Sequence, residues 1–349
     1  MGFEVDFIPV GAGERSGDAI VVRYGELITG SRDQQTIVVI DGGTLESGQK
    51  IVDHINKQYQ TNKVDYIIST HPDSDHSSGL RIVLEKMEVS YLFMHLPWEH
   101  ESQIEEFFKN DQNISERIQK SMEGIRDLEE IAFEKNIPIY EPFQGLQTKD
   151  GSLHIFSPTK DYYESLLPQF RDTPEAKTNT LPTMLYEILK SAEDTLEGWI
   201  EDKFDIDLLG DDGKTSAENN SSVITLITAG EHKLLFTGDA GLEALNIAST
   251  YAESLNIDLN SLNLFHVPHH GSKHNIGSTI LTKIKGEYSI ISASGKNEKH
   301  PSKRVTNHLI KKGSKVFINK SAHLVHKRSA PERGWSGANE EPFYDRFKE

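Results

Sequence analysis

Four side chains able to bind a metal fall within six positions of this chain: His71, Asp73, Asp75 and His76, in the run Thr70-His71-Pro72-Asp73-Ser74-Asp75-His76. They directly follow the apolar run Val64–Ser69. A strand that stops at such a loop can aim alternate residues at one point, because side chains alternate along an extended backbone. Two imidazoles and two carboxylates crowded together repel and desolvate one another, and a bound cation would offset both costs. Three more clusters close apolar runs: Asp41-Gly42-Gly43 after Thr36–Ile40, Thr237-Gly238-Asp239 after Lys233–Phe236, and His269-His270-Gly271-Ser272 after Leu262–Val267. Strand ends in α/β sheets are where loops converge and ligands gather.

The elements that must hold these clusters alternate between strand and helix, which predicts an α/β fold. Strands are read at Phe3–Val10, Ala19–Tyr24, Thr36–Ile40, Val64–Ser69 and Ser90–Leu96, with helices at Ile51–Tyr59 and at Ser77–Glu88, just past the histidine loop. Residues 101–136 read as a core helix, with Ile114, Ile118, Met122, Ile125, Leu128 and Ile131 at three- and four-residue spacing. Short strands follow at Ile137–Tyr140 and Leu153–Phe156. Residues 159–217 are Pro-interrupted and acidic, and read as an insertion or cap containing an amphipathic helix over Leu181–Ile200. Strands resume at Ser222–Ala229, Lys233–Thr237, Leu262–Val267, Tyr288–Ala293 and Lys315–Asn319. Helices are read at Leu242–Leu255, Ser278–Ile284 and Ser302–Lys312. One domain over residues 1–328 is expected, with a tail over 329–349 that the pattern does not place.

Composition narrows the chemistry. The 349 residues include no cysteine, so a metal must be held by nitrogen and oxygen. No signal peptide and no membrane span are read, so a cytoplasmic location without membrane partners is expected. The net charge of −17 argues against a long polynucleotide gripped by a basic face. Locally the balance reverses, with Lys296, Lys299, Lys303, Arg304, Lys311, Lys312 and Lys315 after position 290. His54, His232, His266, His274, His308, His323 and His326 read as structural or exposed.

Taken in order, these motifs resemble the metallo-β-lactamase superfamily, whose fold is a four-layered αββα sandwich. The usual loop of that family is His-x-His-x-Asp-His, and here Asp73 replaces the second histidine. That change is similar to the hydrolase domain of ComEC-type competence proteins, as are the glycines within Phe7–Val22, the run Glu218-Asn219-Asn220-Ser221-Ser222, and Ser292–Pro301 with its closing His300-Pro301. The resemblance covers roughly residues 3–320 and implies a two-metal site. Asp75, His76 and one of His269 and His270 would hold one metal. His71 and Asp73 would hold the other, Asp239 would bridge both, and Asp41 would orient ligands from beneath. The third histidine motif of the family has no clear counterpart, since His95 and His100 follow the wrong strand and His154 stands in another context. Asn219 or Asn220 would be a weak ligand or a substrate contact, and the His71/Asp73 metal would be the less tightly held.

A mixed carboxylate and imidazole set suits zinc or manganese. Two such ions can share a hydroxide and clamp an ester oxygen. Metal-bound hydroxide would then be the nucleophile, with Asp75 or Asp73 holding the water and His270 or His300 protonating the leaving group. Ser272 and Lys273, after the close-packing Gly271, can donate to an anion, as could a helix N-terminus near Ser278. These features favour phosphate esters, and the ComEC-like resemblance implies a phosphodiesterase or nuclease. A small-molecule hydrolase (acting on a phosphorylated metabolite, cyclic nucleotide, lactone or other ester) and a non-catalytic partner-binding module are the alternatives.

Overall fold

The computed structural model describes residues 1–10, 16–100, 122–170, 199–294, 300–320 and 322–349. The first part of the 101–136 helix, most of the 181–200 helix, and Lys296 and Lys299 lie outside the described residues.

One sheet contains β1 (Gly2–Phe7), β2 (Ala19–Gly25), β3 (Gln35–Gly42), β4 (Lys63–Ile68), β5 (Glu88–Phe93), β6 (Ile139–Tyr140) and β14 (Leu324–Arg328), in the order β14-β1-β2-β3-β4-β5-β6. The other contains β7 (Leu153–Ser157), β9 (Ile224–Ala229), β10 (His232–Phe236), β11 (Leu262–His266), β12 (Gly286–Ser292) and β13 (Lys315–Asn319), in the order β13-β12-β11-β10-β9-β7. A separate two-stranded ladder pairs β8 (Ile200–Glu201) with β15 (Arg346–Phe347).

The central strands are apolar at nearly every position because both of their faces are buried. In β3, Ile37 and Val39 face helices α1 (Leu45–His54), α2 (Ser74–Lys86) and α3 (Glu123–Glu134), whereas Val38 and Ile40 face the second sheet. In β10, Leu234 and Phe236 return that contact, and Leu235 turns outward. The short helices α4 (Lys160–Leu166) and α5 (Ala217–Asn220) add Tyr163, Leu166 and Ala217 to the first helical layer. Helices α6 (Leu242–Ser254) and α7 (Lys303–Lys311) cover the second sheet. The result is the expected α/β sandwich of helix, sheet, sheet and helix. Among the described residues, no helix is long and apolar enough to cross a membrane.

Three readings are corrected. The helix after the histidine loop starts at Ser74 rather than Ser77, with Asp73 at its N-cap, so Asp75 and His76 stand on its first turn. The expected helix over Ser278–Ile284 is only a 3₁₀ turn at Ile280–Thr282, so it supplies no N-terminal field. Ile200, taken as the end of a helix, lies in β8. The structure also adds β14 and β15, which the apolar pattern does not mark.

Candidate metal centre

The functional clusters meet at one rim because their strands end there. Asp41 closes β3, and Thr70-His71, Thr237–Asp239 and His269-His270 follow β4, β10 and β11. β2 runs antiparallel to β3, and β9 antiparallel to β10, so the starts of those strands reach the same rim with Asp18 and Asn219.

Helix α2 is seated against this rim by glycine. A Cβ on Gly79 would stand 1.9 Å from the Gly42 carbonyl oxygen, so only glycine allows the first turns of α2 to lie on the end of β3. The contact places His76 over Asp41. Asp41 itself has a positive φ of 53°. Its carboxylate accepts from the Thr70 backbone N–H at 2.8 Å, the Thr70 hydroxyl at 2.6 Å and His76 Nδ1 at 2.8 Å.

The other histidines are oriented in the same manner. The Thr70 hydroxyl proton is committed to Asp41, so its oxygen accepts from His71 Nδ1 at 2.9 Å. His270 Nδ1 donates to the Ser292 carbonyl at 2.8 Å. Asn275 points its amide nitrogen at the Asp239 carbonyl, 2.8 Å away, and its amide oxygen accepts from His269 Nδ1 at 2.9 Å. Asn219 Nδ2 lies 3.1 Å from the same His269 nitrogen and donates to Thr215 Oγ1 at 2.7 Å. An imidazole whose Nδ1–H is held this way presents the Nε2 lone pair, the form that binds a metal.

All four Nε2 atoms turn to Asp239. Those of His71, His76 and His269 lie 3.8, 3.5 and 3.7 Å from Asp239 Oδ2, and that of His270 lies 3.9 Å from Oδ1. These separations are too long for hydrogen bonds. They match ligand atoms around a shared cation with bonds of about 2 Å, which stand roughly 3–4 Å apart. His71 Nε2, His76 Nε2 and Asp239 Oδ1 are buried without a hydrogen-bond partner, a costly state that a cation would relieve. Burial opposes ionisation of Asp239, yet the imidazoles of His269, His76 and His270 outweigh it and hold the carboxyl well below its ordinary range. Burial likewise disfavours protonated His76, but Asp239 and Asp41 outweigh it and push the ring well up. The charge distribution is thus that of a metal site: a buried carboxylate ringed by imidazoles, where a cation would take the place of the proton that Asp239 and Asp41 hold on His76.

Both His269 and His270 join this group, where the resemblance implied one. The backbone explains how: His269, His270 and Gly271 have consecutive positive φ values of 45°, 56° and 76°, a tight left-handed turn that swings both rings inward. Asp73 and Asp75 are partly exposed, and neither joins a group of three whose ligand atoms lie within 4.8 Å among the described residues. The groups that do form here are Asp41/His71/His76 and His76/Asp239/His270. Asn220 Oδ1 is buried without a hydrogen-bond partner, and Ser272 Oγ accepts from the His274 backbone N–H at 3.3 Å. His300 stacks on His269, with ring centroids 5.9 Å apart. Lys273 Nζ lies 3.7 Å from Glu349.

Asp18 was missed in the sequence. It is buried, with Oδ1 3.2 Å from His266 Nε2 and Oδ2 3.9 Å from His76 Nδ1. Burial opposes its ionisation, but His266 and then His76 outweigh it and hold the carboxyl far down. The only available signal was an aspartate between Gly17 and the apolar start of β2. Among the described residues, His95 and His100 join neither of the groups that contain His76. His100 bridges Glu164 and Glu141 at 2.9 Å each, and His95 stacks on Tyr163 at 4.2 Å, beside a cavity of about 20 Å³ that it shares with His71. His154 meets Tyr251 at 3.2 Å, on the side facing α6. In a third group, Asp6/His54/His323, Asp6 accepts hydrogen bonds from the Tyr59 hydroxyl at 2.5 Å and from Arg333 at 2.9 Å.

The role of Asp41 is testable. Asp41→Asn tolerates the left-handed backbone but cannot accept from both Thr70 and His76 as a carboxylate does. It is expected to weaken metal binding by about 10–100-fold, as read by competition with a chromophoric chelator. Unchanged affinity would show that the imidazoles need no such support.

A model of the Metallo-beta-lactamase superfamily matches residues 13–296. No curated protein matches the chain. Among solved structures, the chain is similar to CmlA, a diiron beta-hydroxylase from Streptomyces venezuelae, at 11% identity and a TM-score of 0.45, over 93% of this chain and 54% of that one. It therefore spans about half the length of CmlA. It is also similar to a diphosphatase from the PhnP family, at 10% identity and a TM-score of 0.39, over 94% of this chain and 98% of that one. A metallo beta lactamase from Hirschia baltica aligns at 12% identity and a TM-score of 0.30, over 80% of this chain and 95% of that one. The family model spans most of the chain, and the protein therefore belongs to the metallo-β-lactamase superfamily, whose members are mostly metal-dependent hydrolases that bind divalent metals.

Proposed function

We propose that this protein is a metal-dependent phosphodiesterase. The observation that carries the reading is the ring of four inward Nε2 atoms around Asp239, next to a loop that bears Ser272 and Lys273. His71, His76, His269, His270 and Asp239 would hold one or two divalent ions. The imidazole majority favours zinc over manganese. When bound, such an ion supplies Lewis-acid polarisation and lowers the pKa of water.

The chain's own groups do the rest. Asp41, Ser292 and Asn275 fix the ring orientations, so little reorganisation is needed as charge develops. Asp75, on the turn of α2 that carries His76, is the carboxylate assigned to hold the attacking water, with Asp73 at the helix cap beside it. His300, stacked on His269, is assigned proton delivery to the leaving oxygen. His270 is better suited to ligation than to acid catalysis, because its Nε2 faces Asp239. The ComEC-like motifs favour nucleic acid as substrate. A small phosphoester is favoured instead by the ion pairs on α7: Lys303 with Glu341 at 3.0 Å, Lys311 with Asp202 at 2.6 Å, and Arg304 with Glu349 at 2.9 Å. These leave much of the basic segment already neutralised.

The test is hydrolysis by zinc- or manganese-loaded protein of bis(p-nitrophenyl) phosphate, of single- and double-stranded nucleic acid, and of small cyclic and diphosphate esters. Cleavage of at least one, abolished by chelator and restored by metal, is expected. A folded, metal-loaded protein that cleaves none of them would refute the reading.

A further inference from the structure

We propose that Lys273, Ser302 and Arg304 form an anion site beside the metal centre, built for a non-reacting phosphate of the substrate, and that the side chain of Glu349 fills it in competition. This rests on the phosphoester reading for its ligand, but not for its geometry.

A carboxylate is already bound there. Glu349 Oε1 accepts from the Ser302 hydroxyl and from the Arg304 backbone N–H at 3.1 Å. Glu349 Oε2 lies 2.9 Å from Arg304 Nε and 3.7 Å from Lys273 Nζ. The Glu349 side chain is only 10% exposed, and its Oε2 is buried with no hydrogen bond of its own. Each donor except Lys273 belongs to the start of α7, a nine-residue helix whose first turn contains no acidic residue. The positive end of that helix therefore has no local counter-charge, and the anion must come from elsewhere in the chain or from solution.

The site is coupled to the metal rim through the backbone. The Ser302 N–H donates to the Gly271 carbonyl at 3.0 Å, and Gly271 directly follows His270. A Cβ on Gly271 would stand 2.7 Å from Pro301 Cβ, so the two loops touch with no room between them. The loop that turns His269 and His270 toward Asp239 thus continues into Lys273, and the loop it packs against provides Ser302 and Arg304.

The segment that delivers Glu349 is anchored upstream of it, where Phe347 is buried and the Asp345 carbonyl accepts from the Asp202 N–H at 2.9 Å. Strand β15 pairs with β8 over two residues, Arg346 with Glu201 and Phe347 with Ile200. Asn307 exchanges two hydrogen bonds with the Tyr344 backbone, at 2.7 and 2.9 Å. A phosphate offers more acceptor oxygens and more charge than one carboxylate, so it suits a set of hydroxyl, backbone N–H, guanidinium and ammonium donors better. Arg304 also keeps its Nη1 donation to the Leu208 carbonyl at 3.3 Å, which braces the guanidinium whichever anion is present.

The experiment measures inorganic phosphate binding by calorimetry, in the metal-loaded protein and in an Asp239→Asn background that removes the metal's own affinity for phosphate. Glu349→Gln is expected to tighten phosphate binding by about tenfold in both backgrounds. Adding Arg304→Ala or Lys273→Ala should erase that gain. Phosphate affinity unmoved by Glu349→Gln in both backgrounds would overturn the proposal, as would a gain that survives Arg304→Ala. None of these readouts requires turnover, so a protein that cleaves no phosphodiester can still bear out the anion site. If cleavage is found, Glu349→Gln should lower KM for substrates with a second phosphate and leave KM for bis(p-nitrophenyl) phosphate unchanged.

Discussion

Asp239→Asn is expected to leave the protein folded and nearly free of metal. Asparagine keeps the size of the side chain but removes the negative charge that four imidazole Nε2 atoms surround at 3.5–3.9 Å. Neutral imidazoles alone would then have to hold a divalent ion without charge compensation. Elemental analysis should find only a small fraction of the wild-type zinc or manganese. Hydrolytic activity should fall by about three orders of magnitude, because the lost Lewis acid is worth several kcal/mol in the transition state. Thermal unfolding gives an independent readout: added zinc should raise the midpoint of the wild type by mass action and leave that of the variant unmoved. A full metal complement in Asp239→Asn would show that the shared ligand lies elsewhere, with Asp73 and Asp75 as the first candidates.

Arg333→Ala is expected to cost about 3–5 kcal/mol of stability, the range found when one partner of a buried ionic network is removed. Glu4 and Asp6 are both fully buried on β1. Arg333 donates to both, including a 2.9 Å bond to Asp6 Oδ2, and is itself only 6% exposed. Arg23 donates to Glu4 at 2.6 Å, and the Tyr59 hydroxyl to Asp6 at 2.5 Å. Burial opposes ionisation of Asp6, but hydrogen bonds from His323, His54 and Arg333 outweigh it and hold the carboxyl far down. Without Arg333, two buried carboxylates share too little positive charge. Urea denaturation measures the loss, and Arg333→Lys should recover part of it. A cost under about 1 kcal/mol would place this network with solvent-screened surface pairs.

The sheets were legible because their central strands are buried twice over. Val38 and Val39 face opposite layers, so the run around them needs no alternation to read as a strand. Asp239 and the His269-His270 pair were legible for a related reason, being polar residues that abruptly close apolar runs. The first turn of α2 was not. Ser74, Ser77 and Ser78 are polar, no apolar period marks them, and the cap at Asp73 announces itself only through its backbone. That one boundary puts Asp73 at a helix cap and Asp75 on a first turn instead of in a loop. In a loop, positions 71, 73, 75 and 76 can all face one point, but successive residues on a helix turn away from each other by about 100°. His76 faces Asp239, while Asp73 and Asp75 remain partly exposed. β14, reading Leu-Val-His-Lys-Arg, was hidden by its polar edge residues, as sheet edges commonly are. The tail is held by Arg333, by the Asn307–Tyr344 pair and by Lys303 over the Tyr344 ring at 4.1 Å. No hydrophobic period records contacts of that kind.

The pairing of β14 with β1, and the arginine that follows it, also sets an order of events during synthesis. Glu4 and Arg333 are 329 positions apart. At about 5–20 residues per second, the ribosome takes roughly 15–65 s to bridge that interval. Throughout that time β1 has β2 as a neighbour, but lacks its other edge partner and the counter-charge for two acids that must be dry in the finished protein. The first sheet therefore cannot close as it emerges, and its N-terminal edge stays wet and unpaired until β14 and Arg333 emerge. Contacts of such long sequence separation slow the final step of folding. The nascent chain thus carries an exposed strand edge whose protection, by its own acidic charge or by a chaperone, has to outlast translation.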